Sequence, residues 1–216
     1  MHIKRKTIGN FWPIPKTGDK WMAVPTHNQR NSMPLMIVAR DILGIVKSKK
    51  ELKKILNEKK IIINGKIVKE TNYPLGLFDS ISLPVMKKQY KVVLKNKRFD
   101  FVEVSEKQSE SRIYRVIGKR LLGAKKIQIN LSDGRNLLTS EKIAVGDFVI
   151  MNNLKNKIEK IISLKKDVEV LVIAGKHTGK SGKIKEILKE GENSVAEIKT
   201  KEGEIKANIK NIFAIE

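Results

Sequence analysis

The sequence has no cysteine and little histidine or aromatic material. With no cysteine among 216 residues, disulfides and thiolate metal sites are excluded. The three histidines, His2, His27 and His177, are far apart in the chain and show no metal-ligand spacing. Aromatic residues make up only 5 % of the chain, so its cores must rest on isoleucine, leucine and valine. We therefore expect a protein without metal or cofactor.

Long apolar runs are also missing. No run approaches the ~18 residues that a membrane-spanning helix needs. The N-terminal stretch MHIKRKTIGNFW is basic, and it lacks the apolar segment of a secretory signal. These features predict a cytoplasmic protein with no membrane partner.

Acidic residues are scarce relative to basic ones. Lysine and arginine number 45 against 23 acidic residues, which gives a formal net charge of +22. Because like charges repel in a compact state, the excess indicates a polyanionic partner. Nucleic acid is the usual polyanion, and an anionic membrane surface is the alternative. Dispersed charge favours nucleic acid, since membrane binders usually carry one short basic cluster.

The excess of positive charge is uneven along the chain. The net charge is +5 over residues 1–32, +7 over residues 33–90 and +9 over residues 91–165. It is only +1 over residues 166–216. We therefore expect the first three segments to provide most of the electrostatic contribution to binding.

Residues 1–32 form a basic segment that we call the arm. Its three prolines interrupt any helix, and it contains both tryptophans of the protein, Trp12 and Trp21. Such an arm suits threading along RNA, with cations on phosphates and rings against ribose or bases. Alternatively, the tryptophans attach the arm to the body of the protein. We predict an extended arm that is disordered before assembly.

Two helices are predicted after the arm. Ser32 fits the N-cap of the first helix and Pro34 fits its first turn. The second helix opens at Ser48, where the S-x-x-E pattern with Glu51 is a capping box. Three lysines share one face of this helix: Lys50, Lys53 and Lys54. That face is either merely solvated or an RNA-binding surface.

A hairpin and a further strand follow the helices. Asn-Gly within Ile-Asn-Gly-Lys, residues 63–66, is a strong turn signal because both positions favour positive φ. A strand with the pattern D-x-I-x covers residues 79–83. Two helices, a short strand, an NGK hairpin and this strand resemble the alpha-L RNA-binding fold over roughly residues 33–86. That resemblance implies a module that grips the RNA backbone.

Residues 88–165 show short β-branched or aromatic runs separated by turns, which predicts a small barrel or sandwich. Asp-Gly within residues 132–136 marks a hairpin loop. The basic residues singled out here are Lys119, Arg120, Lys125, Lys126 and Arg135. Each alone is as well explained by solvent exposure, but this segment has the largest net charge.

Residues 166–216 are again strand-like, with turns predicted at Gly191-Glu192-Asn193 and at Glu202-Gly203. The loop in AGKHTGKSGKI ends in Gly-Lys-Ser, like the phosphate loop of a nucleotide hydrolase. That loop needs four residues between its glycines and must open a helix. Here three residues separate Gly175 from Gly179, and a strand pattern follows Ser181. The spacing instead resembles a KOW motif, which implies a small SH3-like barrel that docks RNA or protein.

The order of these parts is similar to the archaeal–eukaryotic small-subunit ribosomal protein family S-four-e. The similarity rests on HIKR at 2–5, FWPIP at 11–15, SMPL at 32–35, INGK at 63–66, LSDGRN at 131–136 and the KOW loop. It implies a structural constituent of the small ribosomal subunit that binds ribosomal RNA beside neighbouring ribosomal proteins. It implies no enzymatic activity and no nucleotide cofactor.

The expected fold is multi-domain α+β, mostly β. The predicted parts are the arm at 1–32, an alpha-L unit at 33–87, a central β-rich domain at 88–165 and a KOW SH3-like barrel at 166–216. The predicted RNA contacts are Lys4, Arg5, Lys6, Lys20, Lys50, Lys53, Lys54, Lys66, Lys119, Arg120, Lys126, Arg135, Lys176 and Lys180.

Two other functions stay open. One is an RNA-modifying enzyme with an alpha-L appendage, although no paired carboxylates or nucleophile constellation stands out. The other is a free KOW-bearing translation or elongation factor. In the nearly neutral C-terminal segment, the KOW loop could equally dock a protein.

Overall fold

The computed structural model describes residues 2–29, 31–122, 126–155, 157–190, 193–200 and 203–215. The chain forms two compact units, Met1–Glu110 and Ser111–Glu216, and both consist mostly of strands. None of the helices within these ranges is long and apolar enough to cross a membrane. Lys125 of the basic group predicted in the central segment lies outside the described residues, and so do Gly191, Glu192 and Glu202 of the predicted turns.

The strands of the first unit are β1 (His2–Lys4), β2 (Trp21–Ala23), β3 (Ser32–Pro34), β4 (Ile62–Ile63), β5 (Lys66–Ile67), β6 (Pro74–Gly76), β7 (Ser80–Leu83), β8 (Lys88–Lys95) and β9 (Arg98–Glu103). Its helices are α1 (Leu35–Ile37), α2 (Lys49–Asn57) and α3 (Glu106–Glu110). The unit also has 3-10 helical turns at Arg5–Thr7 and Pro84–Met86 and a π-helical turn at Val38–Ile42. β1 pairs with β2 and β3 with β6, while the other strands form a sheet in the order β5-β4-β7-β8-β9.

The arm is folded onto the first unit. Its strands β1 and β2 pair antiparallel, with Lys4 opposite Trp21. Ile8, Trp12 and Met22 belong to the same buried cluster as the core of the alpha-L region, and Trp12 is only 4 % exposed. The arm therefore contains two short strands, and Trp12 attaches it to the body as the alternative explanation of the tryptophans predicts; disorder of the arm before assembly stays a prediction. Apolar side chains between the prolines provide enough buried surface to hold it there.

The start of the first helix was predicted wrongly. Ser32 lies in β3, and its hydroxyl donates to the carbonyl of Asn28 at 2.6 Å instead of capping a helix. Pro34 is the N-cap, and only three residues, Leu35–Ile37, are α-helical before the chain continues as a π-helix. Pairing of β3 with the distant strand β6 extends the backbone here. This tertiary pairing overrides the local helix signal.

The second helix begins as predicted. The Ser48 hydroxyl oxygen accepts from the backbone N–H of Glu51 at 3.3 Å. In return, the Glu51 carboxylate accepts from the N–H of Lys47 at 2.8 Å, one residue before the expected partner. Leu52 and Leu56 are fully buried, so α2 packs one apolar face on the unit and leaves the other to solvent.

The main sheet of the first unit continues past the predicted domain boundary. β8 pairs with β7 and also with β9, so the boundary predicted between residues 87 and 88 lies inside this sheet. The sheet is antiparallel throughout its pairings.

The strands of the second unit are β10 (Ser111–Leu121), β11 (Ile127–Leu131), β12 (Asn136–Thr139), β13 (Phe148–Asn152), β14 (Lys157–Ile162), β15 (Glu169–Val172), β16 (Ser181–Glu190), β17 (Asn193–Thr200), β18 (Gly203–Asn208) and β19 (Ile212–Ala214). A 3-10 turn covers Ile209–Asn211. The ten strands form two antiparallel sheets, β12-β11-β10-β13-β14 and β18-β17-β16-β15-β19.

Each sheet of the second unit has its own core. The first buries Tyr114, Ile129 and Val149, and the second buries Val170 and Ile198. The contacts that join them include the Phe148 and Phe213 rings, with centroids 5.3 Å apart, and a hydrogen bond from Arg115 Nη1 to the Ile209 carbonyl at 2.9 Å. Burial lowers the pKa of Arg115, because the charged guanidinium loses hydration there.

Candidate nucleic-acid interface

The paired arm strands gather basic residues around a cavity of about 430 Å³, which we call the arm pocket. It is lined by Lys4, Arg5, Lys6, Lys16, Gly18 and Lys20. Four of these residues, Lys4, Arg5, Lys6 and Lys20, were predicted as RNA contacts. The structure brings them together because the pairing of β1 with β2 folds back the loop that connects the two strands. Lys16 was missing from the predicted contacts. Its membership depends on the fold of the loop, which no local signal indicates.

Arg5 organises the wall of the arm pocket. Its Nε donates to the Asp19 carbonyl at 2.7 Å and its Nη1 donates to the Pro15 carbonyl at 2.8 Å. The loop closes over the guanidinium at Gly18, where φ is +118° and a Cβ would lie 3.3 Å from Arg5 Cζ. Arg5 therefore fixes the loop through part of its donor set.

The two tryptophans have different roles. Trp12 is buried and attaches the arm to the core. Trp21 is 49 % exposed, and its ring contacts the His2 ring edge-on with centroids 4.5 Å apart. Lys20 Nζ lies 5.3 Å from the Trp21 ring centroid. Because Lys20 also lines the arm pocket, the exposed indole lies beside the cavity.

Helix α2 presents the second basic surface. Lys50, Lys53 and Lys54 are all exposed, on the side opposite buried Leu52 and Leu56. Among the described residues none of the three lysines has a carboxylate within 4 Å. Lys60 lowers the pKa of nearby Glu58 through a hydrogen bond, and Lys54 adds a smaller effect. This surface, the α2 lysine face, is available to an external anion.

The hairpin of β4 and β5 is held by a buried polar network. Asn64 Nδ2 donates to Asp79 Oδ1 at 2.7 Å, and the Asn64 side-chain oxygen accepts from the Ser80 N–H at 2.9 Å. Asp79 Oδ2 also accepts from the Gly76 N–H at 2.6 Å. Asn64 has a φ of +50°, as the predicted turn requires. The network fixes the turn that presents exposed Lys66 to solvent.

The positively charged residues of the first sheet in the second unit do not form one cluster. Lys119 lies opposite Ile129 and Arg120 opposite Gln128, so the pleat directs them to opposite faces. Lys119 Nζ donates to the Ile143 carbonyl at 3.0 Å. Neighbours in sequence are thus separated by the strand geometry.

Arg135 and Lys126 differ in how accessible their positive charges are to an external anion. Arg135 is paired with Asp133 at 2.9 Å, is 24 % exposed and lies 5.6 Å from the Tyr114 ring centroid. Its guanidinium therefore already has an acidic partner. Lys126 is exposed at the start of β11 and is the more accessible cation.

The KOW loop has the turn geometry that its glycines indicate. Gly175 and Gly179 have φ of +98° and +88°. The N–H of Gly179 donates to the Val172 carbonyl at 2.8 Å, and that of Lys180 donates to the His177 carbonyl at 3.2 Å. These donors point into the loop, so they cannot cradle a phosphate in the manner of a nucleotide hydrolase. A strand follows at Ser181, as predicted.

The exposed cation of this loop is Lys176, while Lys180 is half-buried. Elsewhere in the same sheet lysines are paired with acids: Lys166 with Glu186, Lys185 with Glu204 and Lys206 with Glu197. Glu204 raises the pKa of Lys185, chiefly through their hydrogen bond. Across the described ranges, no group of three or more metal-ligating side chains comes together.

Three family descriptions match successive parts of the chain. The S4 domain matches residues 33–81, Ribosomal family S4e matches residues 86–158, and the KOW motif matches residues 169–199. The small ribosomal subunit protein eS4 of Methanocella arvoryzae is 34 % identical over 99 % of this chain and 93 % of that protein. The chain belongs to the eS4 family. The resemblance inferred from sequence is therefore confirmed.

Other members of the eS4 family agree over most of their length. The Methanosphaera stadtmanae protein is 30 % identical over 99 % of this chain and 91 % of its own. The Nanoarchaeum equitans protein is 31 % identical over 87 % of this chain and 82 % of its own length. The crystal structure of the 30S ribosomal protein S4e from Thermoplasma acidophilum covers 86 % of this chain and 95 % of that one, with 26 % identity and a TM-score of 0.71.

Proposed function

We propose that this eS4-family chain is a structural constituent of the small ribosomal subunit that binds ribosomal RNA. The observation that carries the proposal is the match to eS4 proteins over nearly the whole chain. The net charge of +22 and the exposed cations on separate surfaces agree with a polyanionic partner. On this basis the protein is cytoplasmic, resides in the ribosome and has no catalytic role.

Binding is electrostatic and guided by RNA shape. The arm pocket, the α2 lysine face and Lys66 are directed at phosphates, where lysines displace counterions. Double-helical RNA hides its base edges from side chains in a deep major groove, so backbone geometry provides the specificity. Lys119, Arg120, Lys126 and Arg135 are further proposed contacts. Among these, Arg120 and Lys126 are exposed, whereas Arg135 has Asp133 as a partner.

The C-terminal sheet is proposed to be an SH3-like KOW barrel whose loop contacts RNA through Lys176 and Lys180. Its five antiparallel strands and the KOW match support this proposal. A neighbouring ribosomal protein is the second candidate partner. The pairing of its lysines with glutamates favours that candidate, because neutralised pairs attract phosphates weakly.

Salt washing of small subunits tests the main proposal. We expect the chain to stay with the particle at one copy through high-salt washing, because its contacts are spread over several surfaces. A free factor or an RNA-modifying enzyme would be released by the same wash. Release from most particles would refute the role as a structural constituent.

Matched charge variants test the surfaces. Replacing Lys50, Lys53 and Lys54 together by glutamine should weaken binding to small-subunit RNA and reduce the slope of log affinity against log salt by about 2 to 3. The control replaces three lysines that already have acidic partners: Lys166, Lys185 and Lys206. It makes the same change in net charge and should alter the slope much less. Equal effects of the two triple variants would contradict a specific role for α2.

A further inference from the structure

We propose that the arm pocket and Trp21 together bind one unpaired nucleotide of RNA, with its phosphate in the pocket and its base against the indole. The proposal deepens the RNA-binding function proposed above and rests on it. It assigns to the arm a preference for single-stranded RNA, whereas the α2 lysine face needs only a phosphate backbone.

The lining of the arm pocket is suited to an anion. Five basic side chains and one glycine surround the cavity, and no acidic side chain is among them. The acid of the nearby loop, Asp19, contributes to raising the pKa of Arg40, behind the larger effect of the Arg40 hydrogen bond with Asp41. The lining itself therefore supplies no carboxylate to neutralise its five positive charges.

Arg5 is preorganised for this anion. Its Nε and Nη1 donate to loop carbonyls, which fixes the plane of the guanidinium. Within the described residues its other amino group, Nη2, donates no hydrogen bond. A guanidinium that is already immobilised loses little side-chain entropy when it binds a phosphate oxygen.

The volume of the pocket exceeds the need of a single ion. At about 430 Å³ it lies in the range typical of sites for small organic ligands, whereas a water molecule occupies about 30 Å³. A phosphate with its attached ribose fits this space better than a lone inorganic ion does.

Trp21 provides the surface for the base. It is 49 % exposed, although a tryptophan usually buries its apolar ring when nothing else covers it. Lys20 connects the two parts, since it lines the pocket and lies 5.3 Å from the indole centroid. A base offers its face to a ring only when it is unpaired and unstacked, so duplex RNA does not satisfy the site. Stacking is tolerant of base identity, and we expect little sequence preference.

Tryptophan fluorescence of the full chain tests the proposal, because Trp12 is buried and a local change in quenching reports Trp21. The titrants are a single-stranded hexauridylate, an abasic oligomer of the same length, an RNA duplex and inorganic polyphosphate. We expect hexauridylate to quench Trp21, and the other three to compete with it without comparable quenching. Loss of the base should weaken competition about 10-fold.

Variants locate the site. Lys16→Gln should shift the quenching midpoint to higher hexauridylate and reduce its salt slope by about 0.7. Gly18→Ala should also weaken quenching, since its Cβ displaces the Arg5 guanidinium. The control Lys185→Gln removes a charge that is paired with Glu204 and should leave the midpoint unchanged.

Three outcomes would overturn the proposal: equal quenching by the abasic oligomer or polyphosphate, equal quenching by the duplex, or hexauridylate binding that leaves Trp21 unaffected. Each is distinguishable from failure of the ribosomal role. If the chain survives salt washing in the small subunit but Trp21 does not respond, only the nucleotide site is refuted. If Trp21 responds as expected but the chain washes off, only the structural role in the ribosome is refuted.

Discussion

The buried network at the β4–β5 hairpin gives the sharpest stability prediction. Asn64 connects three parts of the first unit: its own turn, the Asp79 carboxylate and the Ser80 backbone N–H. Asn64, Asp79 and Ser80 are all at least 94 % buried, with exposures of 6 %, 5 % and 3 %. Water therefore cannot easily replace a lost hydrogen bond, and removing the Asn64 side chain should destabilise the unit strongly.

The magnitude follows from two lost bonds and one backbone conformation. Asn64→Gly leaves the Ser80 N–H buried without its acceptor and removes one donor from Asp79, at about 1 to 3 kcal/mol each. The expected loss is about 2 to 6 kcal/mol. Asn64→Ala loses the same bonds and also holds alanine at a φ of +50°. It should cost about 1 kcal/mol more than Asn64→Gly.

Urea unfolding followed by tryptophan fluorescence measures these differences, because both tryptophans lie in the first unit. Trp12 belongs to the same core cluster as the strand that leads into Asn64. The matched control is Asn96→Gly, at an exposed hairpin position with a φ of +49°. It should change the unfolding free energy by less than about 0.5 kcal/mol. A loss below about 1 kcal/mol for Asn64→Gly would refute the reasoning.

Four further predictions concern the backbone at two positions, the arm and acid stability. Lys97→Gly should raise the unfolding free energy of the first unit by up to about 1 kcal/mol, since Lys97 is exposed with a φ of +64°. Gly182→Ala should disrupt the second unit, because its Cβ would lie 2.3 Å from the Lys199 carbonyl oxygen; loss of β-type circular dichroism checks this. Backbone amides of β1 and β2 should exchange slowly without RNA, and exchange at random-coil rates would support the prediction of a disordered arm. Lys185 lowers the pKa of Glu204 below its usual 4.5 in the folded state, so this pair stabilises above that pH and loses its effect as the pH falls. In Glu204→Gln the stability of the second unit, followed by circular dichroism in urea, should therefore fall slightly less than in the parent chain between pH 5 and about 3.

Local signals predicted some elements well. The capping box at Ser48 and the Asn-Gly turn act over four residues, and both appear in the structure as expected. The helix signal at Ser32 failed because pairing of β3 with β6 joins residues that are 40 to 44 positions apart. Such pairing leaves no mark on the local periodicity. The short strands of the arm likewise had no local signal, since β1 pairs with β2 across the intervening loop.

The functional residues show a similar limit. Charge in sequence indicated the arm and α2 correctly as basic surfaces, because periodicity or a short hairpin brings those lysines together. The charge pattern could not show that the side chains of Lys119 and Arg120 lie on opposite faces of one strand. Nor could it show that Arg135 is held by Asp133. Whether a cation is available depends on contacts that only the fold determines.

Net charge therefore overstates the number of phosphates that the chain can neutralise. An ion pair such as Lys185 with Glu204 presents almost no net field to RNA, whereas each arm pocket lysine acts without an acidic neighbour in the lining. Counterion release depends on cations that reach phosphates, so the slope of affinity against salt should follow the unpaired cations. Among the described residues, exposed cations without an acidic partner occur in the arm, on α2 and also in the second unit at Arg120 and Lys126, so both units should contribute to the salt dependence. The C-terminal sheet should contribute little, because Lys166, Lys185 and Lys206 are paired with glutamates.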